Sequence, residues 1–244
     1  MDQPVALITG GAKGIGRGIA LDLAAGHWRI ALCYRNSHAE ANATAEDIMA
    51  RGGRSLAIRC DVSDPVAAKN LVTRVEQEWG RIDVLINGAG PYHRINLFDE
   101  TVEGWNEMFD GNLHPIFYLA QAVAPGMKTR KAGRIINFSM ANADQMEAQP
   151  DVTGHYIAKA GVLILTRTLA KLLAPYGITV NAISPGFIDS GSAPPQELAA
   201  MTKRIPAGYI GTIDDTVAAV RYLLSEEARY VNGANIQISG GWGI

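Results

Sequence analysis

Short apolar runs alternate along the chain with longer segments whose apolar residues recur at helical spacing. The runs are continuous rather than alternating, which is typical of strands buried on both faces of a parallel sheet. Predicted strands lie at 5–9, 29–34, 55–60, 84–87, 134–139, 179–184 and 235–239. Predicted helices lie near 14–25, 39–51, 64–79, 103–128, 156–174 and 213–225. This alternation predicts right-handed crossovers and an α/β fold with a doubly wound, Rossmann-like parallel sheet of about seven strands.

Composition indicates how many domains the chain forms and which partners it is expected to lack. With 244 residues, 48% of them hydrophobic, and no linker or repeat, the chain is expected to form a single domain over residues 1–244. A net charge of -2 provides no basic surplus for nucleic acid or an anionic membrane. No apolar run approaches the ~18 residues of a membrane span, and the first residues lack the features of a signal peptide. We therefore expect a cytoplasmic protein with neither nucleic acid nor membrane as a partner.

Cysteine usage argues against a metal site. Cys33 and Cys60 lie in apolar, strand-like runs without CxxC spacing. Two small buried hydrophobic residues are the simpler interpretation, and we predict no metal.

A glycine-rich turn follows the first predicted strand and reads TGGAKGIG over residues 9–16. Gly10, Gly14 and Gly16 allow a tight turn and bring backbone N–H groups close to a ligand at the start of the next helix. This position at the first strand–helix junction predicts a site for the pyrophosphate of a dinucleotide.

Three further motifs follow in order: NGAG at 87–90, SPGFIDS at 184–190, and YVNGANIQISGGW from Tyr230. With these four motifs the chain resembles the classical short-chain dehydrogenase/reductase family over nearly its whole length, and it is most similar to 3-oxoacyl-carrier-protein reductases. The resemblance implies a nicotinamide cofactor, a small-molecule carbonyl substrate, a substrate flap at about 188–208 and a homotetramer.

The end of the second strand bears on the choice of cofactor. NAD-specific sites usually place an acid there for the ribose 2′-OH, but this chain has no acid before Glu40. Arg35 follows the strand instead, and Lys13 lies in the glycine loop, so two cations are available for a 2′-phosphate. We therefore predict NADP(H). Together, these residues and the resemblance predict a cofactor site formed by Gly10, Lys13, Gly14, Ile15, Gly16, Arg35, Asp61, Val62, Asn87, Gly88, Ala89, Pro185, Gly186, Ile188 and Ser190.

The resemblance also implies a catalytic set of serine, tyrosine and lysine, joined by an asparagine. Ser139 ends the fifth predicted strand and matches the serine, and Asn112 matches the asparagine in a long central helix. Lys159, followed by Ala160 and Gly161, matches the lysine. A tyrosine can donate a proton to an alkoxide if nearby positive charge lowers its pKa from ~10.

The tyrosine departs from the family pattern of Tyr-x-x-x-Lys. Tyr156 precedes Lys159 by three residues, and His155 stands four residues before it. One residue on a regular helix corresponds to about 100° and 1.5 Å. Three alternatives follow. An irregular first turn can bring the Tyr156 hydroxyl into place, His155 can be the proton donor, or the site can be catalytically impaired. The first is the prediction we adopt.

The sequence thus predicts an NADPH-dependent oxidoreductase that reduces a 3-oxoacyl or other ketone group to an alcohol, with Ser139, Tyr156, Lys159 and Asn112 as catalytic residues. The alternative is an NADP(H)-binding protein with impaired or no catalysis, which the shortened spacing between tyrosine and lysine favours.

Overall fold

A computed structural model describes residues 3–191 and 195–244. In chain order its elements are β1 Val5–Thr9, α1 Gly14–Ala25, β2 Arg29–Tyr34, α2 His38–Ala50, β3 Arg54–Arg59, α3 Pro65–Trp79, β4 Val84–Asn87, α4 Val102–Asn112, α5 His114–Arg130, β5 Gly133–Phe138, α6 Thr153–Leu173, β6 Ile178–Pro185, β7 Ile188–Asp189, α7 Pro195–Thr202, β8 Gly211–Thr212, α8 Ile213–Leu224 and β9 Asn235–Ile238. Single 3₁₀ turns follow α6 and α8. All seven predicted strands are present, with bounds within one residue of those expected.

Seven strands form one parallel sheet in the order β3-β2-β1-β4-β5-β6-β9. The order reverses between β1 and β4, where the chain crosses from one half of the sheet to the other. Every residue of β1 is buried, and one hydrophobic cluster covers each face of the sheet. The continuous apolar runs therefore reflect burial on both faces, and the predicted doubly wound α/β fold is confirmed.

The predicted helix at 103–128 is two helices. Leu113 separates α4 from α5, and Pro115 occupies the first turn of α5. A proline ring has no N–H to donate and clashes with the preceding turn, so one continuous helix is disfavoured here. Asn112 consequently ends α4 instead of lying in the middle of a long helix.

Helix α6 begins at Thr153, three residues before the predicted start. Its first turn is regular, since the Tyr156 N–H donates to the Val152 carbonyl at 2.8 Å. No side chain caps this end of the helix, so no capping signal in the sequence marks its start.

A small parallel pair, β7 with β8, lies outside the main sheet and was not predicted. It joins the segment after β6 to the start of α8. The predicted flap at about 188–208 contains β7 and α7, but its residues 192–194 lie outside the described part of the chain. Within the described ranges, no helix has the length and apolar character needed to cross a membrane.

Candidate active site

A cavity of about 960 Å³ lies at the carboxyl ends of β1, β2, β3 and β4. The reversal of strand order between β1 and β4 opens this edge of the sheet, as expected for a ligand site in a doubly wound fold. Eleven of the fifteen residues predicted to bind the cofactor line it: Gly10, Lys13, Gly14, Ile15, Gly16, Arg35, Asp61, Val62, Gly88, Ala89 and Ser190.

Two glycines of the loop allow its close packing. A Cβ on Gly16 would lie 2.3 Å from the Gly10 carbonyl oxygen. Gly10 has a φ of 68°, and its own Cβ would lie 3.0 Å from backbone atoms of Gly88 and Ala89. The loop is therefore held against the end of β4, and the N-terminus of α1 faces the cavity without side chains in between.

The Thr9 side chain also holds the end of β1 against the end of β4. Its hydroxyl accepts hydrogen bonds from the Gly88 and Ala89 N–H groups at 3.1 and 3.2 Å. These bonds satisfy two backbone donors at a point where the chain leaves the sheet. Thr9 was not among the predicted site residues, although its position directly before the glycine loop was visible in the sequence.

Four predicted cofactor residues lie outside this cavity. Asn87 is buried, and its side chain donates to the Asn137 side chain at 2.8 Å. Pro185 and Gly186 lie at the end of β6, against β9, and Ile188 begins β7. Their predicted contacts with a cofactor stay predictions.

The charge pattern of the cavity differs from the one that the sequence suggested. Arg35 and Lys13 are exposed at its edge, but the Arg35 guanidinium lies 3.7 Å from the Glu107 carboxylate. Glu103, Glu107 and Asp110 of α4 all line the cavity. Their spacing of four and three residues puts them on one helical face, which was the available signal for this acidic wall.

The predicted catalytic residues do not form one hydrogen-bonded set. The buried Ser139 hydroxyl donates to the Lys159 carbonyl at 2.8 Å. The Tyr156 hydroxyl donates to the Asn142 carbonyl at 2.8 Å and accepts from the Glu147 N–H at 3.1 Å. Each hydroxyl is therefore bonded to backbone, and within the described ranges neither bonds to the Lys159 ammonium.

The expected irregular first turn of α6 is wrong. Tyr156 lies within a regular helix, so its side chain is rotated by about 100° from the face that carries His155. Lys159 and His155 stand one turn apart on the same face. Tyr156, three residues before Lys159, is also its neighbour on the helix. Its hydroxyl is nevertheless bonded to the Asn142 carbonyl and the Glu147 N–H, which the sequence alone could not show.

Lys159 and Asn112 do converge, near Gly90. A Cβ on Gly90 would lie 2.2 Å from the Asn112 Oδ1 and 3.6 Å from the Lys159 Nζ. The Asn112 Nδ2 donates to the carbonyls of Met108 and Pro91, both at 3.0 Å. The Lys159 Nζ donates to the Phe138 carbonyl at 2.9 Å. Burial lowers the pKa of Lys159 to about 8, because a charged ammonium is poorly solvated there.

His155 completes this group. Its ring is 8% exposed and packs edge-on against Tyr92, with ring centroids 5.1 Å apart. Burial, together with the positive charge of Lys159, lowers the pKa of His155 to about 3. The imidazole is therefore neutral at physiological pH. In the described part of the chain, no group of three or more His, Cys, Asp or Glu side chains is arranged to hold a metal ion.

The chain matches known proteins over almost its full length. A family model described as enoyl-(acyl carrier protein) reductase matches residues 10–243. The 3-oxoacyl-[acyl-carrier-protein] reductase of Staphylococcus aureus is 37% identical over 97% of this chain and 96% of its own length. The enzyme of the same description from Synechocystis is 34% identical over 97% of this chain and 96% of its own.

Solved structures show the same architecture. A Sinorhizobium meliloti protein described as a short-chain alcohol dehydrogenase superposes with a TM-score of 0.91 at 28% identity, covering 99% of this chain and 97% of that one. Acetoin dehydrogenase from Salmonella typhimurium gives a TM-score of 0.89 at 28% identity, with coverage of 98% and 97%. The motifs, the sheet order and these relatives agree, and the chain belongs to the short-chain dehydrogenase/reductase family of oxidoreductases.

Proposed function

We propose that this protein is an NADP(H)-dependent oxidoreductase that reduces a ketone of a small molecule, such as a 3-oxoacyl group, to an alcohol. The observation that carries the proposal is the position of the buried Lys159 and Asn112 beside Gly90, which lines the same cavity as the glycine loop. The reductases of S. aureus and Synechocystis support the same substrate class.

The residues of the cavity suit a nicotinamide dinucleotide. Gly10 and Gly16 leave the backbone of the loop open at the N-terminus of α1, where N–H groups and the helix dipole favour a pyrophosphate. When bound, the reduced nicotinamide supplies a hydride to the carbonyl carbon. The protein must then position the carbonyl and deliver a proton to its oxygen.

Preference for NADPH rests on Arg35. We expect NADPH to bind more tightly than NADH, because a guanidinium can form charge-assisted hydrogen bonds to a 2′-phosphate. An Arg35→Glu variant should lose about 10- to 100-fold in NADPH affinity, the equivalent of one or two such bonds. Its affinity for NADH should change little. Fluorescence titration of both reduced cofactors measures these constants.

The matched control is Arg54→Glu. Arg54 is exposed at the start of β3, at the opposite edge of the sheet, so the same charge reversal there should leave both affinities within about twofold. Equal affinities of the unmodified protein for NADPH and NADH would contradict the assignment of the 2′-phosphate to Arg35.

Cys60 offers an independent test of the cofactor site. Its thiol lines the cavity, and a hydrogen bond from the Cys33 thiol lowers the pKa of Cys60. Because a thiolate is the reactive form, iodoacetamide should label Cys60 well before Cys33, which is 2% exposed. NADPH at saturation should slow this labelling about tenfold or more by covering the thiol. Peptide mass spectrometry gives the rates, and Cys60→Ser confirms the labelled site. Labelling that NADPH does not slow would contradict binding of the cofactor beside β3.

Turnover decides between this proposal and a second candidate. The hydroxyl groups of Ser139 and Tyr156 are bonded to backbone, which favours a protein that binds NADP(H) without catalysis. NADPH consumption, followed at 340 nm with ketones, diketones and 3-oxoacyl thioesters, should show turnover if the protein is a reductase. Tight binding without turnover across that panel would favour the second candidate. A homotetramer, which the family resemblance implies, and a cytoplasmic location are also part of the proposal.

A further inference from the structure

Helix α6 carries a buried imidazole, His155, beside Pro91 of the cavity wall. His155 and Lys159 are one helical turn apart and share a face. The Tyr156 hydroxyl is held by the Asn142 carbonyl and the Glu147 N–H. Bringing that hydroxyl to a substrate beside Lys159 would require breaking both bonds. His155 needs no such change.

The surroundings of His155 leave one of its nitrogens without a partner. The Nδ1 atom is buried and bonds to no other group in the described part of the chain. The ring contacts the Pro91 backbone, which can act only as an acceptor because proline has no N–H. A buried nitrogen without a partner is costly and rare in folded proteins. Such an atom is expected where a ligand or a transferred proton completes the bonding.

A second unpartnered atom lies in the same place. The Asn112 Oδ1 is buried without a partner among the described residues, while the Nδ2 of the same side chain donates to the Pro91 carbonyl. Gly90 has no side chain, so its backbone lies close to the Asn112 amide and the Lys159 ammonium. Gly90 and Pro91 both line the cavity. The side chains of Asn112, Lys159 and His155 therefore lie beside Gly90 and Pro91 of the cavity wall, and those of Asn112 and His155 have free bonding capacity.

We propose that His155, and not Tyr156, is the catalytic residue of α6 that bonds the substrate oxygen, and that Lys159 supplies the proton through the imidazole ring. This inference rests on the proposed function. In the reduction, two electrons arrive with the hydride at the carbonyl carbon, and the carbonyl π pair moves to oxygen. That oxygen takes the proton of Nε2, the nitrogen that donates to the Pro91 carbonyl in this structure, and Nδ1 takes a proton from the Lys159 ammonium. Water then reprotonates the neutral Lys159 amine.

The charged groups around the ring are consistent with a relay. Lys159 faces His155 from the same helix, and His93 faces it from the segment after β4. Burial and these two charges keep the imidazole neutral, with its pKa at about 3. At pH 7 the ring therefore carries a single N–H proton, which must be replaced when it is donated. Lys159, with its pKa at about 8, is protonated at pH 7 and close enough to neutrality to release the proton.

Three variants test the assignment by turnover of NADPH with the best ketone found. His155→Ala should lower kcat about 100-fold or more, the usual contribution of a general acid, while the Kd for NADPH stays within about twofold. Added imidazole should restore part of this loss, and His155→Tyr should retain more activity than the alanine variant. Tyr156→Phe should keep kcat within about threefold of the unmodified protein, even if its melting temperature falls. Loss of turnover in Tyr156→Phe with retention in His155→Ala would overturn the proposal.

A second readout needs neither cofactor nor substrate. In ¹⁵N spectra of the histidine rings, the signals absent from His155→Ala identify His155. We expect this ring to stay neutral from pH 9 down to pH 5 and its shifts to follow a titration near pH 8, the pKa of Lys159. Lys159→Met should abolish that titration. A His155 ring signal whose ¹⁵N chemical shift does not change between pH 7 and pH 9 would overturn the relay.

The two proposals can fail separately. If the unmodified protein binds NADPH but turns over no carbonyl in the panel, the proposed function fails and the catalytic role of His155 fails with it. If the protein turns over a ketone and His155→Ala does so equally well, only the role of His155 is contradicted.

Discussion

A Gly16→Ala variant is expected to bind NADPH about 30-fold more weakly or worse and to lose about 2 kcal/mol in its free energy of unfolding. The added methyl would lie 2.3 Å from the Gly10 carbonyl oxygen and 2.9 Å from its carbonyl carbon. These are backbone atoms, so no side chain can rotate away to make room. The loop must shift as a unit, and the N–H groups at the start of α1 shift with it.

The displacement of the loop is also coupled to the end of β4. Gly10 packs against the backbone of Gly88 and Ala89, and Thr9 bonds to the N–H groups of the same two residues. A shift of Gly10 therefore disturbs both sides of the cavity. Isothermal titration with NADPH and urea unfolding of the cofactor-free protein measure the two effects separately.

Gly80→Ala is the matched control. Gly80 ends α3 with a φ of 78°, and a Cβ there would meet no atom within 4 Å. Alanine in this left-handed conformation costs about 1 kcal/mol of stability, with no effect on NADPH affinity. An unchanged NADPH affinity in Gly16→Ala would contradict the placement of the pyrophosphate at the glycine loop.

The parts of the fold that the sequence predicted are those in which local pattern and tertiary burial agree. The apolar runs of the five inner strands became strands because both of their faces are covered by helices, so no polar side was needed. The glycine loop was predictable for a related reason, since the close approach of Gly16 to Gly10 excludes any side chain. In both cases the residue type indicates the structural requirement, which is burial on both faces for the apolar runs and close backbone contact for the glycine.

The site was harder to predict because it depends on where helices begin. The start of α6 carries no capping side chain, so no local signal showed that the regular helix already includes Tyr156. Pro115 did mark the break between α4 and α5, but only the observed break shows that Asn112 lies at a helix end. The position of Glu103, Glu107 and Asp110 at the cavity was not predicted for the same reason, because the orientation of α4 depends on that break.

The buried histidine leads to the second large effect, which concerns acid stability. Between pH 6.5 and pH 4.5, the unmodified protein is expected to lose about 2 to 3 kcal/mol more of its free energy of unfolding than a His155→Gln variant loses. The folded-state pKa of His155 is about 3, against 6.5 in an unfolded chain. Below pH 6.5 the unfolded chain binds a proton that the folded protein does not, so acid stabilises the unfolded state by about 1.4 kcal/mol for each pH unit. Glutamine has no such proton to bind.

Urea unfolding at pH 7.0, 5.5 and 4.5 measures this difference, and comparison with the variant removes the contribution of the carboxylates that both proteins share. Substitution of the exposed His27 by glutamine controls for the general effect of removing an imidazole. Parallel losses in the unmodified protein and in His155→Gln would mean that the ring takes up a proton in the folded state as readily as in the unfolded one. That result would place solvent at the ring and remove Lys159 as its source of protons. A steeper loss in the unmodified protein alone would show that the imidazole stays neutral beside Lys159. A neutral ring can give its proton to the substrate oxygen only if it takes another from Lys159.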